Sequence, residues 1–237
     1  MRLSIIVPSL NEAAGITATL AGLKALRAAG HEVIVADGGS TDGTPSLAAP
    51  LADSVLAAPL GRARQMNAGA AQAQGDVLLF LHADTRLPQG AVGLICDALR
   101  QRQWGRFDVR IAGQPRVLRL VAALMNLRSR LTGIATGDQA LFVRRAAFAA
   151  VGGFPDQPLM EDIELSRRLK RLGPPACLSA RALTSGRRWE ARGPWRTILL
   201  MWRLRFDYWR GVPAERLAER YPGPPGPPGP ANQTAGT

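Results

Sequence analysis

Lysine is nearly missing from this chain, cysteine and aromatic residues are scarce, and long apolar runs are lacking. Lys24 and Lys170 are the only lysines among 237 residues. Cys96 and Cys177 are the only cysteines, and neither has metal-ligand or redox spacing around it. Two cysteines can pair, but buried free thiols in a reducing compartment are the expectation. No stretch reaches the roughly 18 apolar residues that a membrane-spanning helix needs. The N-terminus enters a strand without a charged and apolar leader, so a cytoplasmic protein is expected, with peripheral attachment to the inner membrane face left open. Aromatics make up 5% of the chain and gather towards the C-terminus, with no base-stacking platform and no nucleic-acid motif. A nucleic-acid partner is therefore not expected.

What the chain has in excess is arginine. The formal charge is +12, which attracts phosphates in general: nucleic acid, anionic lipid or a nucleotide. Such an arginine bias also accompanies a GC-rich genome, so charge alone selects no partner. An apolar fraction of 46% fits one α/β domain with a tail.

Three strand-like runs organise the first third. Leu3-Ser4-Ile5-Ile6-Val7 leads into Pro8-Ser9-Leu10-Asn11-Glu12, and Glu32-Val33-Ile34-Val35-Ala36 into Asp37-Gly38-Gly39-Ser40-Thr41-Asp42. Asp76-Val77-Leu78-Leu79-Phe80-Leu81 leads into His82-Ala83-Asp84. Short apolar runs separated by helix-length stretches read as buried strands of a parallel sheet. Ligands of such sheets sit at the carboxyl ends of the strands, where all three runs carry carboxylates. The pattern predicts helices over residues 13–29, 44–51, 62–74, 90–102 and 160–172, and strands over 54–56, 104–111 and 139–143. An α/β fold follows, with a doubly wound, mostly parallel sheet and helices on both faces. Residues 193–211 form a further helix, with Trp195, Ile198, Leu199, Trp202, Phe206 and Trp209 on one face and Arg196, Arg203 and Arg210 on another. It either packs on the domain or lies in a membrane interface. The segment 222–237, rich in Gly-Pro-Pro, reads as a disordered tail. The expected division is a domain at 1–190, a basic amphipathic segment at 191–221 and the tail.

Each polar turn has two readings. Asp84 either caps the turn after its strand or holds a hard cation against a diphosphate. Asp37 either binds ribose or base beside glycines that allow close backbone approach, or belongs to a plain turn in which Ser40, Thr41 or Asp42 caps the next helix. Asn11 and Glu12 open the first helix, where Glu12 either suits the helix dipole or points at a ribose hydroxyl. Arg62 and Arg64 either clamp phosphate oxygens or form a solvated basic turn. Glu161, Asp162 and Glu164 complement a helix N-terminus, or one of them is a general base.

In their order, these motifs resemble glycosyltransferase family 2 over about residues 3–190. The resemblance is carried by Ile5 to Glu12, Val35 to Thr44, Gly61 to Gly69, His82-Ala83-Asp84, Gly152-Gly153-Phe154 and Glu161-Asp162. It implies a GT-A fold and an inverting transfer from a nucleoside-diphosphate-sugar, UDP-linked sooner than GDP-linked, to an acceptor whose identity it leaves open. Pro8, Asn11, Glu12 and Asp37 would then line the nucleotide pocket with His82, and Arg62 would lie near the diphosphate. Asp84 would bind Mg²⁺ or Mn²⁺, and Asp162 would be the base with Glu161 beside it. Arg187, Arg188 and Trp189 would sit on the acceptor or phosphate side. The chain departs from the family pattern at His82, Gly38 and Leu10. Ser185 likewise replaces the Gln of the motif found in processive synthases. The compact length and His82 look most like a small bacterial subgroup labelled as arsenosugar-biosynthesis glycosyltransferases. A nucleotidyltransferase is the competing enzyme, but its Gly-rich loop bearing Arg and Lys does not follow the first strand.

Overall fold

The computed structural model describes residues 1–113, 117–187 and 193–221. Eight strands form one sheet: β1 (Leu3–Ser9), β2 (Glu32–Asp37), β3 (Ser54–Ala57), β4 (Val77–Phe80), β5 (Thr85–Arg86), β6 (Trp104–Ile111), β7 (Phe142–Arg144) and β8 (Ala176–Thr184). Their spatial order is β3-β2-β1-β4-β7-β6-β8-β5. Strands β1 to β4 pair in parallel, as do β6 and β8, while β7 and β5 run against their neighbours. The sheet is thus mostly parallel, and the ends of β1, β2 and β4 share one edge.

Side-chain alternation explains why both faces are covered. Leu3, Ile5 and Val7 of β1 enter one core with Ile16, Leu20 and Ile95. Ile6, with Ile34, Leu78 and Phe80, enters the other with Met66, Leu165 and Leu169. The first core lies under α1 (Ala13–Ala21) and α5 (Ala91–Ala98), the second under α4 (Arg62–Gln72) and α8 (Glu161–Lys170). Helix α4 comes so close that a Cβ added at Gly69 would lie 2.5 Å from Ile6 Cγ2. Gly69→Ala should cost about 2 kcal/mol through overpacking. A urea midpoint equal to that of the unaltered chain would show that α4 can move away.

Several expected elements are redrawn. Residues 13–29 form two helices, α1 and α2 (Lys24–Ala28), because the Leu23 N–H bonds back to the nearer Leu20 carbonyl and tightens the turn. The helix at 44–51 is only α3 (Thr44–Ala48), and its N-cap is Gly43 at φ 85°, not Ser40, Thr41 or Asp42. Asp42 still caps through its side chain: Oδ1 accepts from the Thr44 N–H, and Oδ2 from the Ala13 N–H of α1. The strand expected at 139–143 is shifted. Gly137–Gln139 makes a 3-10 turn closed by a reciprocal Thr136–Gln139 capping box, and the chain becomes extended at Phe142. Strand β8 and helix α7 (Arg145–Ala150) were not anticipated. Cys96 and Cys177 are free, as expected, but only partly buried.

Helix α6 (Val117–Thr132) and helix α9 (Pro194–Trp209) lie beside the strand ends, followed by α10 (Ala214–Arg220). The faces of α9 also differ from expectation. Ile198 turns partly inward, Leu200, Met201 and Leu204 pack towards Leu159, Met160 and Leu217, and the bulky aromatics remain outside. No helix of the described residues is long and apolar enough to cross a membrane.

Candidate active site

The loops after β1 and β2 are sewn together by side chains. Asp37 is buried and accepts four hydrogen bonds: from Ser9 Oγ and Ser40 Oγ on Oδ1, and from the Gly39 and Ser40 N–H groups on Oδ2. These occupy the four or so lone-pair positions of a carboxylate, so Asp37 clasps its own loop. Asn11, at φ 54°, accepts from the Thr41 N–H and donates its own N–H to Ser40 Oγ. Beneath them the buried Gln65 donates to the carbonyls of Ser9 and Ala36. Gly38 faces that amide, and a Cβ there would come within 3.0 Å of it. The glycine at 38 therefore matches the glutamine at 65. Pro8 sits within β1, paired to Ala36.

Three residues distant in sequence meet at the ends of β1, β4 and β8. Arg187 Nη2 donates to Glu12 Oε2 at 3.0 Å and stands 3.8 Å from Asp84 Oδ2. The hydrogen bond to Glu12 raises the Arg187 pKa against an opposing effect of burial. Among the described residues Asp84 otherwise makes only long contacts, at 3.4 Å from Thr85 Oγ1 and 3.5 Å from Thr184 Oγ1.

A second group gathers at the N-terminus of α8. Met160, at φ 65°, turns the chain into that helix. Asp162 Oδ2 accepts from the Gly137 N–H at 3.0 Å and Oδ1 from the Ile163 N–H at 2.8 Å. The same 3-10 turn places Asp138 Oδ1 3.3 Å from His82 Nδ1. His82 Nε2 is buried against Gly137, without a hydrogen-bond partner among the described residues. Glu161 is buried and accepts from Arg62 Nη1 at 3.3 Å. Burial pushes its carboxyl pKa up; Arg62 opposes that and the neighbouring Asp162 adds to it. Arg64 instead pairs with Asp156. The Gly152-Gly153-Phe154 motif is structural: Asn67 of α4 bonds both the N–H and the carbonyl of Phe154, locking the approach to α8.

Removing Arg62 would strand a buried carboxylate. Arg62→Met should cost about 2 kcal/mol at neutral pH. The sign follows from linkage. Without Arg62 the folded pKa of Glu161, which burial already raises, rises further above its unfolded value, so the penalty relative to the unaltered chain appears as pH rises through that chain's raised folded pKa and fades as pH falls below it. Urea unfolding across that range checks this, and a pH-independent penalty would contradict it.

The structure thus joins Glu12, Asp84 and Arg187 in one cluster and Glu161 with Arg62 in another, with Asp162 held by the turn that carries Asp138 and faces His82. Asp37 and Asn11 lie in the adjoining loop. Arg188 and Trp189 lie outside the described residues. Sequence reasoning missed Asp138 and two partly buried arginines, Arg128 and Arg205, that line a cleft with His82 and Asp84.

The residues fit a divalent cation of one kind. Among the described residues no group of three or more His, Cys, Asp or Glu would enclose an ion. A hard cation that keeps water and takes substrate phosphates needs only one or two carboxylates. Asp84, with lone pairs spared by its long contacts, meets that need. His82 does not, since Asp138 and Gly137 cover its nitrogens.

Comparison with known proteins decides the family. The glycosyl transferase family 2 model matches residues 4–146. The chain belongs to glycosyltransferase family 2. A β-monoglucosyldiacylglycerol synthase from Synechocystis sp. is 28% identical over 160 residues, which is 59% of this chain and 33% of that protein. The chain therefore spans about a third of that relative. S. aureus TarS in complex with UDP-GlcNAc superposes with a TM-score of 0.62 at 19% identity, covering 78% of this chain and 58% of that one. The mannosyltransferase PcManGT from Pyrobaculum calidifontis, in complex with GDP-Man and Mn²⁺, gives 0.61 at 22% identity, covering 94% and 66%. The sheet order and flanking helices are those of the GT-A glycosyltransferase fold, as expected from the motifs.

Proposed function

We propose that this family 2 enzyme moves a sugar from a nucleoside-diphosphate-sugar to an acceptor hydroxyl, with inversion and with a divalent cation. The observation that carries this reading is the meeting of Glu12, Asp84 and Arg187 at the strand ends, while Asp162 at the start of α8 is held by the Gly137 turn. Of the solved glycosyltransferases of this fold, TarS holds UDP-GlcNAc, and PcManGT holds GDP-Man together with Mn²⁺, which supports a nucleotide-sugar donor and a cation. Pro8, Asn11, Glu12 and Asp37 shape the nucleoside side, with Asp37 setting the loop geometry through its four bonds. Asp84 holds the cation, whose chemistry when bound is to offset negative charge on the diphosphate. Arg187 and Arg62 add fixed positive charge near the leaving group.

Asp162 accepts the proton of the acceptor hydroxyl as the oxygen bonds to the anomeric carbon. The bond from that carbon to the diphosphate oxygen breaks, and the electron pair leaves with the nucleoside diphosphate. Two backbone N–H bonds fix the carboxylate's orientation, so it needs no reorganisation as the proton moves. Glu161, tied to Arg62, supports the helix start.

The test is a thermal-shift screen against UDP- and GDP-sugars with Mn²⁺, since ligands of the native state raise its stability. UDP-sugars should give the larger shift, and turnover should release nucleoside diphosphate. Release of pyrophosphate from a nucleoside triphosphate would favour a nucleotidyltransferase instead.

A further inference from the structure

Between α6 and α9 lies a cleft of about 1020 Å³, counting its open mouth, that runs to Asp84, His82 and Asp138. Its walls are apolar: Val121, Leu124 and Met125 from α6, and Ile198, Met201 and Trp202 from α9. Into it project two arginines, Arg128 and Arg205. Nε and Nη2 of Arg128 and Nε of Arg205 are buried, without hydrogen-bond partners among the described residues. Burial, and the charge of Arg205 beside it, push the Arg128 pKa down to about 10, and burial lowers that of Arg205. Asp162 and Asp138 act on both in the opposite sense and do not outweigh burial. Two neighbouring guanidinium groups with unmet donors in an apolar cleft cost stability. An anion that accepted from both would reverse that cost.

The cleft opens onto an unusual surface. Along α6, Leu120, Leu124, Leu127 and Leu131 form an exposed stripe, and along α9 so do Trp195, Leu199, Trp202, Phe206 and Trp209. Trp195 is 66% exposed and Trp209 72%. Leu124 and Trp202 belong both to these stripes and to the cleft walls, so the apolar surface runs continuously into the cleft. Exposed Arg119, Arg196, Arg203 and Arg210 edge it. α6 contains no acid, and in α9 the single acid, Asp207, is paired with Arg220. A contiguous apolar patch rimmed by arginine and rich in tryptophan matches the interface of an anionic bilayer.

We propose that the cleft is the acceptor site and that its occupant is a phosphate-bearing, anionic lipid drawn from the bilayer on which α6 and α9 lie. Its headgroup would meet Arg128 and Arg205, and its chains would leave past Leu124 and Trp202. The assignment of the cleft to the acceptor rests on the transfer reading of Asp84 and Asp162; the identity of the occupant rests on the cleft itself.

The experiment has three arms on the full chain. The first compares sedimentation with phosphatidylcholine vesicles and with vesicles of equal parts phosphatidylcholine and phosphatidylglycerol. Only the anionic vesicles should carry the protein down, and Trp195→Ser with Trp209→Ser should reduce that at least tenfold. The second measures binding of monomeric dihexanoyl phosphatidylglycerol against glycerol 3-phosphate. The lipid should bind at least tenfold tighter, and Arg128→Gln with Arg205→Gln should erase that binding. The third measures UDP binding with Mn²⁺, which the arginine variant should retain within twofold. Equal affinity for glycerol 3-phosphate would overturn the lipid assignment in favour of a soluble phosphate. Loss of UDP binding in the arginine variant would overturn it by placing both arginines on the donor side. Vesicle binding that is indifferent to the tryptophans would overturn the docking surface. Failure of the unaltered chain to bind either UDP or, measured in the same way, GDP would instead remove the transfer reading, and with it the acceptor role, while the lipid arms still decide what fills the cleft.

Discussion

Asp162→Asn is expected to lower the rate of sugar transfer by about 10³-fold, within the range that a positioned general base supplies, while leaving donor and cation binding unchanged. The substitution keeps the shape and one acceptor oxygen but removes the basic site. In the structure both carboxylate oxygens are engaged by backbone N–H groups, from Gly137 and Ile163. One of those bonds must become a contact to an amide nitrogen unless the side chain settles with its NH₂ elsewhere. A structural penalty is therefore also expected, and it separates from the chemical one. Thermal unfolding reads the first, and kcat at saturating donor reads the second. A variant that turned over at the parental rate would remove Asp162 from the chemistry.

Asp84→Ala is expected to abolish cation-dependent donor binding, with a fall in kcat/KM of about 10³-fold, as when a preorganised electrostatic contact to a leaving group is lost. The effect should be specific to the cation. The stabilisation that UDP gives with Mn²⁺ should vanish, whereas whatever UDP gives in a chelator should stay the same. Because Asp84 makes only long contacts among the described residues, to Thr85, Thr184 and Arg187, its removal should barely change the melting temperature of the free protein. Persistence of the Mn²⁺-dependent shift would place the cation elsewhere.

The parts of the site that lie at strand ends were legible in the sequence. A buried parallel strand is a short apolar run, and its polar turn marks the ligand edge of the sheet, so Glu12, Asp37 and Asp84 could be found from pattern alone. Asp162 was one of three acids at a helix start, and the family resemblance, not the pattern, singled it out. Strand β8 was not legible. It alternates poorly, carries Arg181, and owes its extended form to pairing with β6 on one side and β5 on the other. Asp138 was hidden because its place follows from the 3-10 turn that its capping box closes. Arg128 and Arg205 were hidden for a different reason. On amphipathic helices arginines read as solvated, and their partial burial arises only when α6 meets α9 across a long stretch of chain. The departure at Gly38 was visible, but its cause was not: Gln65, on another element, occupies the space a side chain would need.

The central claim is inverting transfer from a nucleotide-sugar, and it can be read without knowing the acceptor, because water can take the acceptor's place. Incubation with an α-linked UDP-sugar and Mn²⁺, followed by proton NMR before the freed sugar equilibrates, reports the anomer first released. The account predicts the β-anomer together with free UDP. Release of the α-anomer would contradict inversion and, with it, the role assigned to Asp162.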